Sequence, residues 1–159
     1  QGELTSIPSF GGDAEEGPLA KELAQVRKFK KAILIVSGAA VQQLMEKMQH
    51  EQELIMDLAD MGIYIYAAES ALLRTQKLIS IKGEAAAAHQ IDMPRVYVYD
   101  AAARINKHGK DAINAFAEGD MQRMLLMGLK RFTKVDPGNT KTLRRSIAEA
   151  VIEADEYCF

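Results

Sequence analysis

A chain of 159 residues that is 48% hydrophobic but only 6% aromatic can bury one domain-sized core without disulfides or metals. Its 20 basic and 22 acidic side chains leave a formal net charge of −2, so it lacks the basic excess with which proteins neutralise nucleic-acid phosphates. The single cysteine, Cys158, excludes an internal disulfide framework and suits a reducing, cytoplasmic setting.

The first 16 residues hold Gly2, Pro8, Gly11 and Gly12 without sustained periodicity, and they read as a linker or arm. Gly17-Pro18 then opens a helix, since a proline in the first turn sacrifices no hydrogen bond. Leu23, Val26, Phe29, Ile33, Ala40, Leu44 and Met48 keep helical spacing to about Gln49. Within it, Ala32 to Val41 is the longest apolar run. As helix it rises about 15 Å, half a bilayer core, so it is a buried segment. Gly38 costs roughly 1 kcal/mol in mid-helix, and close approach of a neighbouring helix would explain it.

A second helix is expected from about Gln52 to Lys82. Leu58, Ile65, Leu72 and Ile79 recur every seven residues, and Leu54, Met61 and Ala68 fill the alternate positions. A second row, Ile55, Gly62, Tyr66 and Leu73, widens the stripe beyond a coiled-coil seam. So wide a face implies at least two partners and makes this helix the most central. Lys77, Lys82 and Gly83 supply last-turn cations and a stop.

Residues 84–108 predict a third helix, bent or restarted near Pro94 and ended by Lys107-His108-Gly109. The Ile63–Tyr66 and Val96–Tyr99 tracts have strand propensity but lie inside helical periodicity, so both read as helix. A short helix holding Ile113 and Phe116 follows. Asp120 then caps another carrying Met121, Leu125, Leu129 and Phe132. Asp136-Pro137-Gly138 marks a turn, and Asn139 or Thr140 caps a last helix with Leu143, Ile147, Val151 and Ala154. The expected architecture is all-α: an up-down bundle of five or six helices, one domain over residues 17–159.

Motifs of chemistry are scarce. Glu46 and His50, or Glu84 and His89, have the wrong interval for a bundle-core metal site, where Glu and His three apart converge on one ion. His89 and His108 have no ligand companions at zinc spacing. Cys158 is next to last, where chains are rarely held rigidly enough for nucleophilic work. No Gly-x-Ser-x-Gly elbow, P-loop or Gly-x-Gly-x-x-Gly occurs. One charge asymmetry stands out: Lys130, Arg131, Lys134, Lys141, Arg144 and Arg145 against the single acid Asp136. Those cations could dock an anionic partner, a phospholipid headgroup or a CoA phosphate. They equally suit a helix C-terminus and a solvated face.

Leu58 to Thr75 resembles a helix from the helical domain of acyl-CoA dehydrogenases. Ser6–Gly11, Gly83–Ala88, Gln90–Met93, Phe116–Gly119, Met127–Thr133 and Glu156–Phe159 resemble the C-terminal extension of long bacterial members of that family, similar in role to the extension of the mitochondrial very-long-chain enzymes. The likeness spans nearly the whole chain. It implies a piece of a longer flavoenzyme, which the Gln1 start also suggests. That parent would hold FAD, remove an acyl-CoA α proton with a glutamate while the β hydride passes to the flavin, and deliver electrons to an electron-transfer flavoprotein. In the family the base stands in Glu-Gly-Thr. Here Glu118-Gly119 is followed by Asp120, and the family's preceding Gly-Gly-x-Gly-Tyr and Tyr-Arg-Asp segments are missing. The resemblance therefore implies no catalytic, cofactor or metal residue in this chain. It implies a non-catalytic packing domain, a degenerate copy of the helical domain, partnered by the catalytic domains of its own chain and a second subunit. The mitochondrial relatives also imply membrane contact; only the packing role is carried over. An autonomous adaptor docking through the basic segment is the alternative.

Overall fold

The computed structural model describes residues 17–136 and 138–156. The expected arm over residues 1–16, the reading of Cys158, and Pro137 lie outside them. Among the described residues there are five α-helices: α1 (Ala20–Leu44), α2 (Gln52–Lys82), α3 (Ala88–Phe116), α4 (Gly119–Thr133) and α5 (Thr140–Ala154). Short 3₁₀ turns at Met45–His50 and Ala85–Ala87 precede α2 and α3. Among the described residues there is no strand. Helical spacing overrides local β propensity because it decides what is buried. Met61, Ile65, Ala68 and Leu72 on α2, and Ile91, Val98, Ala102 and Ile105 on α3, face the core at intervals of three, four or seven.

The expected ends of α2 match those observed, with Gly83 at φ +82 donating its N–H to Ile79 O. Three other expectations need correcting. The first helix ends at Leu44, five residues early, because Met45 adopts φ +48 and the chain tightens into 3₁₀ geometry. Gly109 does not end a helix. It lies inside α3, buried, and a Cβ there would stand 2.6 Å from Leu129 Cδ1. This glycine is a close-approach residue that lets α4 seat on α3. Ile113 and Phe116 consequently belong to α3 itself. Asp120 is not the cap of α4 either. Glu118 holds the N-cap position without a side-chain cap bond, and Asp120 sits in the first turn, 3.2 Å from Arg123 Nη1. The cap expected at Asn139 is present, its side chain accepting from Thr142 N at 3.2 Å.

Helix α3 passes through Pro94 without interruption. Proline has no N–H, so the carbonyl four residues earlier, Gln90 O, loses its intrahelical donor. The Thr75 hydroxyl on α2 lies 3.3 Å from that oxygen and 2.9 Å from Ala71 O. The lost donor is thus replaced from the facing helix. This is why the chain neither breaks nor restarts.

The first four helices alternate in direction. Ile33 approaches Gly62, Thr75 meets Gln90, and Asp57 meets His108. Asn106 Nδ2 donates to Thr133 Oγ1 at 2.7 Å. Helix α5 then continues in the direction of α4 along the other half of α3, with Arg144 against Asp100 and Ser146 against Asp92 and His89. The 29 residues of α3 span about 43 Å, close to the combined length of the two 15-residue helices that lie along it. Central position therefore belongs to α3, which packs on all four other helices, rather than to α2, which packs on α1 and α3.

Phe29, Met61, Leu72, Ile105, Ile113 and Leu129 fill the core. Buried polar side chains are all satisfied, as burial demands. Gln25 Nε2 donates to Phe132 O at 2.9 Å, occupying a carbonyl at the C-terminal end of α4, and Thr133 Oγ1 donates to Leu129 O at 2.8 Å.

Candidate functional site

The six cations singled out in the sequence lie on two helices. Lys130, Arg131 and Lys134 lie exposed at the end of α4, while Lys141, Arg144 and Arg145 lie exposed on α5. Helices α4 and α5 make no packing contact. Arg144 is committed within the molecule, with Nη2 at 2.7 and 2.6 Å from the two Asp100 carboxylate oxygens. Lys130 and Arg131 occupy the last turn of α4, where cations offset the negative end of the helix dipole. Their neighbours Met124 and Met127 are 56% and 68% exposed, so the outer face of α4 mixes thioethers with cations.

Glu118 is exposed and lines neither of the clefts described here. His108 is tied to structure: Nδ1 stands 2.7 Å from Asp57 Oδ1 and 3.7 Å from Asp60 Oδ2, with Tyr64 stacked on the ring. The arrangement pins α2 to α3. Burial, with a smaller contribution from Tyr64, raises the Tyr97 phenol above its usual 10.0. Asp111, by hydrogen bond and charge, raises the exposed Lys107 ammonium. Among the described residues no group of three or more His, Cys, Asp or Glu could hold a metal ion.

A cleft of about 380 Å³ opens between α1, α3 and the start of α5, walled by Val98, Tyr99 and Leu143 and rimmed by Lys21, Lys28 and Arg95. A second, of about 240 Å³, lies beside Pro18 and Ile79. Neither fits a flavin dinucleotide. The carboxylates of Glu22 and Asp136 on the rim of the larger cleft would repel a pyrophosphate.

The wide face of α2 meets the two partners expected of it, α1 and α3. Its second apolar row nonetheless leaves Ile55, Tyr66 and Leu73 40%, 74% and 54% exposed. On α1, Leu34 and Val41 are exposed as well, seven residues apart on one face, and Met45, just past the helix end, is 75% exposed. Gly38 lies in that same stripe, with nothing within 4 Å of a Cβ built on it. The neighbouring helix expected there is absent among the described residues. Ion pairing of Lys30 with Glu69 and the approach of Ile33 to Gly62 set the two stripes side by side.

This helical frame has close counterparts. The family described as acyl-CoA dehydrogenase, C-terminal domain, matches residues 28–131. The chain belongs to that family. A probable acyl-CoA dehydrogenase of Bacillus subtilis (strain 168) is 36% identical over 141 residues, which cover 89% of this chain and 24% of the relative. The crystal structure of an acyl-CoA dehydrogenase complexed with FAD from Bacillus anthracis superposes with a TM-score of 0.87 at 33% identity, covering 92% of this chain and 25% of that one. The chain thus spans about a quarter of the length of these acyl-CoA dehydrogenases. No helix among the described residues is long and apolar enough to cross a membrane.

Proposed function

We propose that this chain acts as the non-catalytic C-terminal helical domain of a longer FAD-dependent acyl-CoA dehydrogenase, contributing packing and subunit contacts. The observation that carries the reading is the match over residues 28–131 within relatives about four times as long. The whole enzyme would convert an acyl-CoA to a trans-2-enoyl-CoA in cytoplasmic fatty acid β-oxidation and pass electrons to an electron-transfer flavoprotein. FAD would supply the hydride acceptor from outside this chain. The domain's own residues would form a rigid all-helical body around α3.

The test is Glu118→Gln in the longer enzyme. An exposed helix-boundary residue should leave turnover within about threefold, whereas loss of a general base costs at least about 10²-fold. A collapse of activity with folding intact would assign the base to this domain and end the reading. A second reading, an adaptor docking an anionic surface, is favoured by the outer face of α4, where Met124 and Met127 sit beside Lys130, Arg131 and Lys134. It requires the purified chain to sediment with anionic but not neutral vesicles, and to lose that binding in a Lys130→Glu, Arg131→Glu, Lys134→Glu variant.

A further inference from the structure

We infer that α1 is exchanged between two copies of this chain. The turn over residues 45–51 straightens, α1 and α2 become one helix, and each α1 seats on the α3 and α4 of the second copy. The exchange needs only this chain, so its failure leaves the accessory-domain reading standing. The turn itself carries a conflict between sequence and shape. From Gln42 to Met56 there is no Gly, Pro, Ser, Thr, Asn or Asp, and Leu44 to Gln49 are all strong helix formers. The turns after α2, α3 and α4 hold Gly83, Gly119 and Gly138; the turn after α1 reverses the chain with neither glycine nor proline. Met45 consequently takes φ +48 and ψ −121, a strained backbone for a residue with a Cβ. Met45–His50 then form a six-residue 3₁₀ segment, longer than such runs usually extend.

None of Met45–His50 is buried, so their own side chains do not hold this shape. It is imposed by the seating of α1 on α2, α3 and α4. A second copy offers the same seat with the strain released, which is the condition that favours exchange of an element. The core faces of α1 and α2 also agree in phase across the turn. Val36 and Ile65 are 29 residues apart, about eight whole turns of α-helix, and Phe29 and Leu72 are 43 apart, about twelve. All four are buried. One continuous helix over residues 20–82 therefore presents a single apolar face along its length. Two such helices, antiparallel about a two-fold axis, carry both bodies on that face. The approach of Ile33 to Gly62 and the Lys30–Glu69 pair then re-form between copies. The interface is isologous and closes at the dimer.

Carbodiimide coupling tests this, because it joins the Lys30 ammonium and the Glu69 carboxylate, already paired, as an amide with no spacer. Equal amounts of light and heavy isotope-labelled chain are refolded together from urea at the highest soluble concentration, and the dimer is isolated by size-exclusion chromatography. About half of its coupled Lys30–Glu69 peptide pairs should carry one label of each kind, as random pairing of copies requires. A chain that stays monomeric overturns the exchange, and so does a dimer whose coupled pairs carry one label only. Met45→Gly separates the hinge from the rest of the fold. Glycine accepts φ +48 in the closed turn and is disfavoured inside a continuous helix. Each effect shifts the balance about fivefold per copy, and two copies enter, so the dimer should weaken by at least about 100-fold. Met45→Ala keeps both the strain and the helix preference and should leave the dimer within about threefold of the parent. A Met45→Gly dimer as tight as the parent's overturns the inference.

Discussion

Gly109 and Gly38 are both helical glycines, and their surroundings reverse the effect of the same substitution. At Gly109 a Cβ would lie 2.6 and 2.9 Å from the two methyl carbons of Leu129, a side chain only 1% exposed. Overpacking costs about 1–3 kcal/mol and outweighs the roughly 1 kcal/mol that alanine gains in helix propensity. Gly109→Ala should therefore lower stability, by up to about 2 kcal/mol. At Gly38 the space is open, so Gly38→Ala should raise the stability of the isolated chain by up to about 1 kcal/mol. Urea unfolding followed by circular dichroism reads both signs; equal effects at the two sites would refute the close-approach role of Gly109. Tyr97 gives a pH dependence. Its phenol is raised above 10.0, so the folded state keeps a proton that the unfolded state has released. Between those two values the unfolded chain binds fewer protons and stability falls as pH rises. The contribution is complete below about pH 10 and lost above it. Unfolding midpoints measured from pH 9 upward should decline, and in Tyr97→Phe the decline should be shallower.

Between α2 and α3, the Thr75–Gln90 contact and Pro94 form one unit. Thr75→Val keeps the shape but removes the donor facing Gln90 O, with an expected cost of about 1 kcal/mol. Pro94→Ala returns an N–H to the same carbonyl. In that background the cost of Thr75→Val should shrink, and the coupling appears directly in a double-mutant cycle. Strict additivity would show that the hydroxyl serves Ala71 O alone. Helix α5 presents a different case, since none of its residues is buried. Its seam with α3 consists of the exposed Arg144–Asp100 pair, the Ser146 bonds to Asp92 and His89, and half-buried Leu143 and Ile147. Exposed pairs contribute about 0–1 kcal/mol each and are screened by salt. Amides of α5 should exchange with deuterium well before those of α3, and faster in high salt. Arg144→Ala should change global stability by less than about 1 kcal/mol. Protection of α5 equal to that of α3 would contradict this view of its docking.

For the molecule as a whole, helical period, breakers and caps carried most of the fold. The stop at Gly83, the Asn139 cap and the core positions Phe29, Met61, Leu72 and Ile105 were legible because each depends on neighbours within a few residues. Backbone conformation at a glycine, a side chain reaching its own helix end, and one face repeating every 3.6 residues are local matters. The family was legible through resemblance alone. The cations of the basic segment were legible as composition, whereas the placement of Lys130, Arg131 and Lys134 on α4 and of Lys141, Arg144 and Arg145 on α5, along the two halves of α3, is a tertiary matter. Local reading also could not tell a glycine that stops a helix from one that admits a neighbour, as at Gly109. Nor could it supply Gln90 O, freed by Pro94, with a substitute donor 15 residues away. The apolar row Ile55, Tyr66 and Leu73 shows the same limit from the other side. Periodicity states that a face is apolar, since that is written in the order of residues. Whether another part of the chain covers that face depends on where distant helices come to rest, and that is decided only when the core around α3 closes.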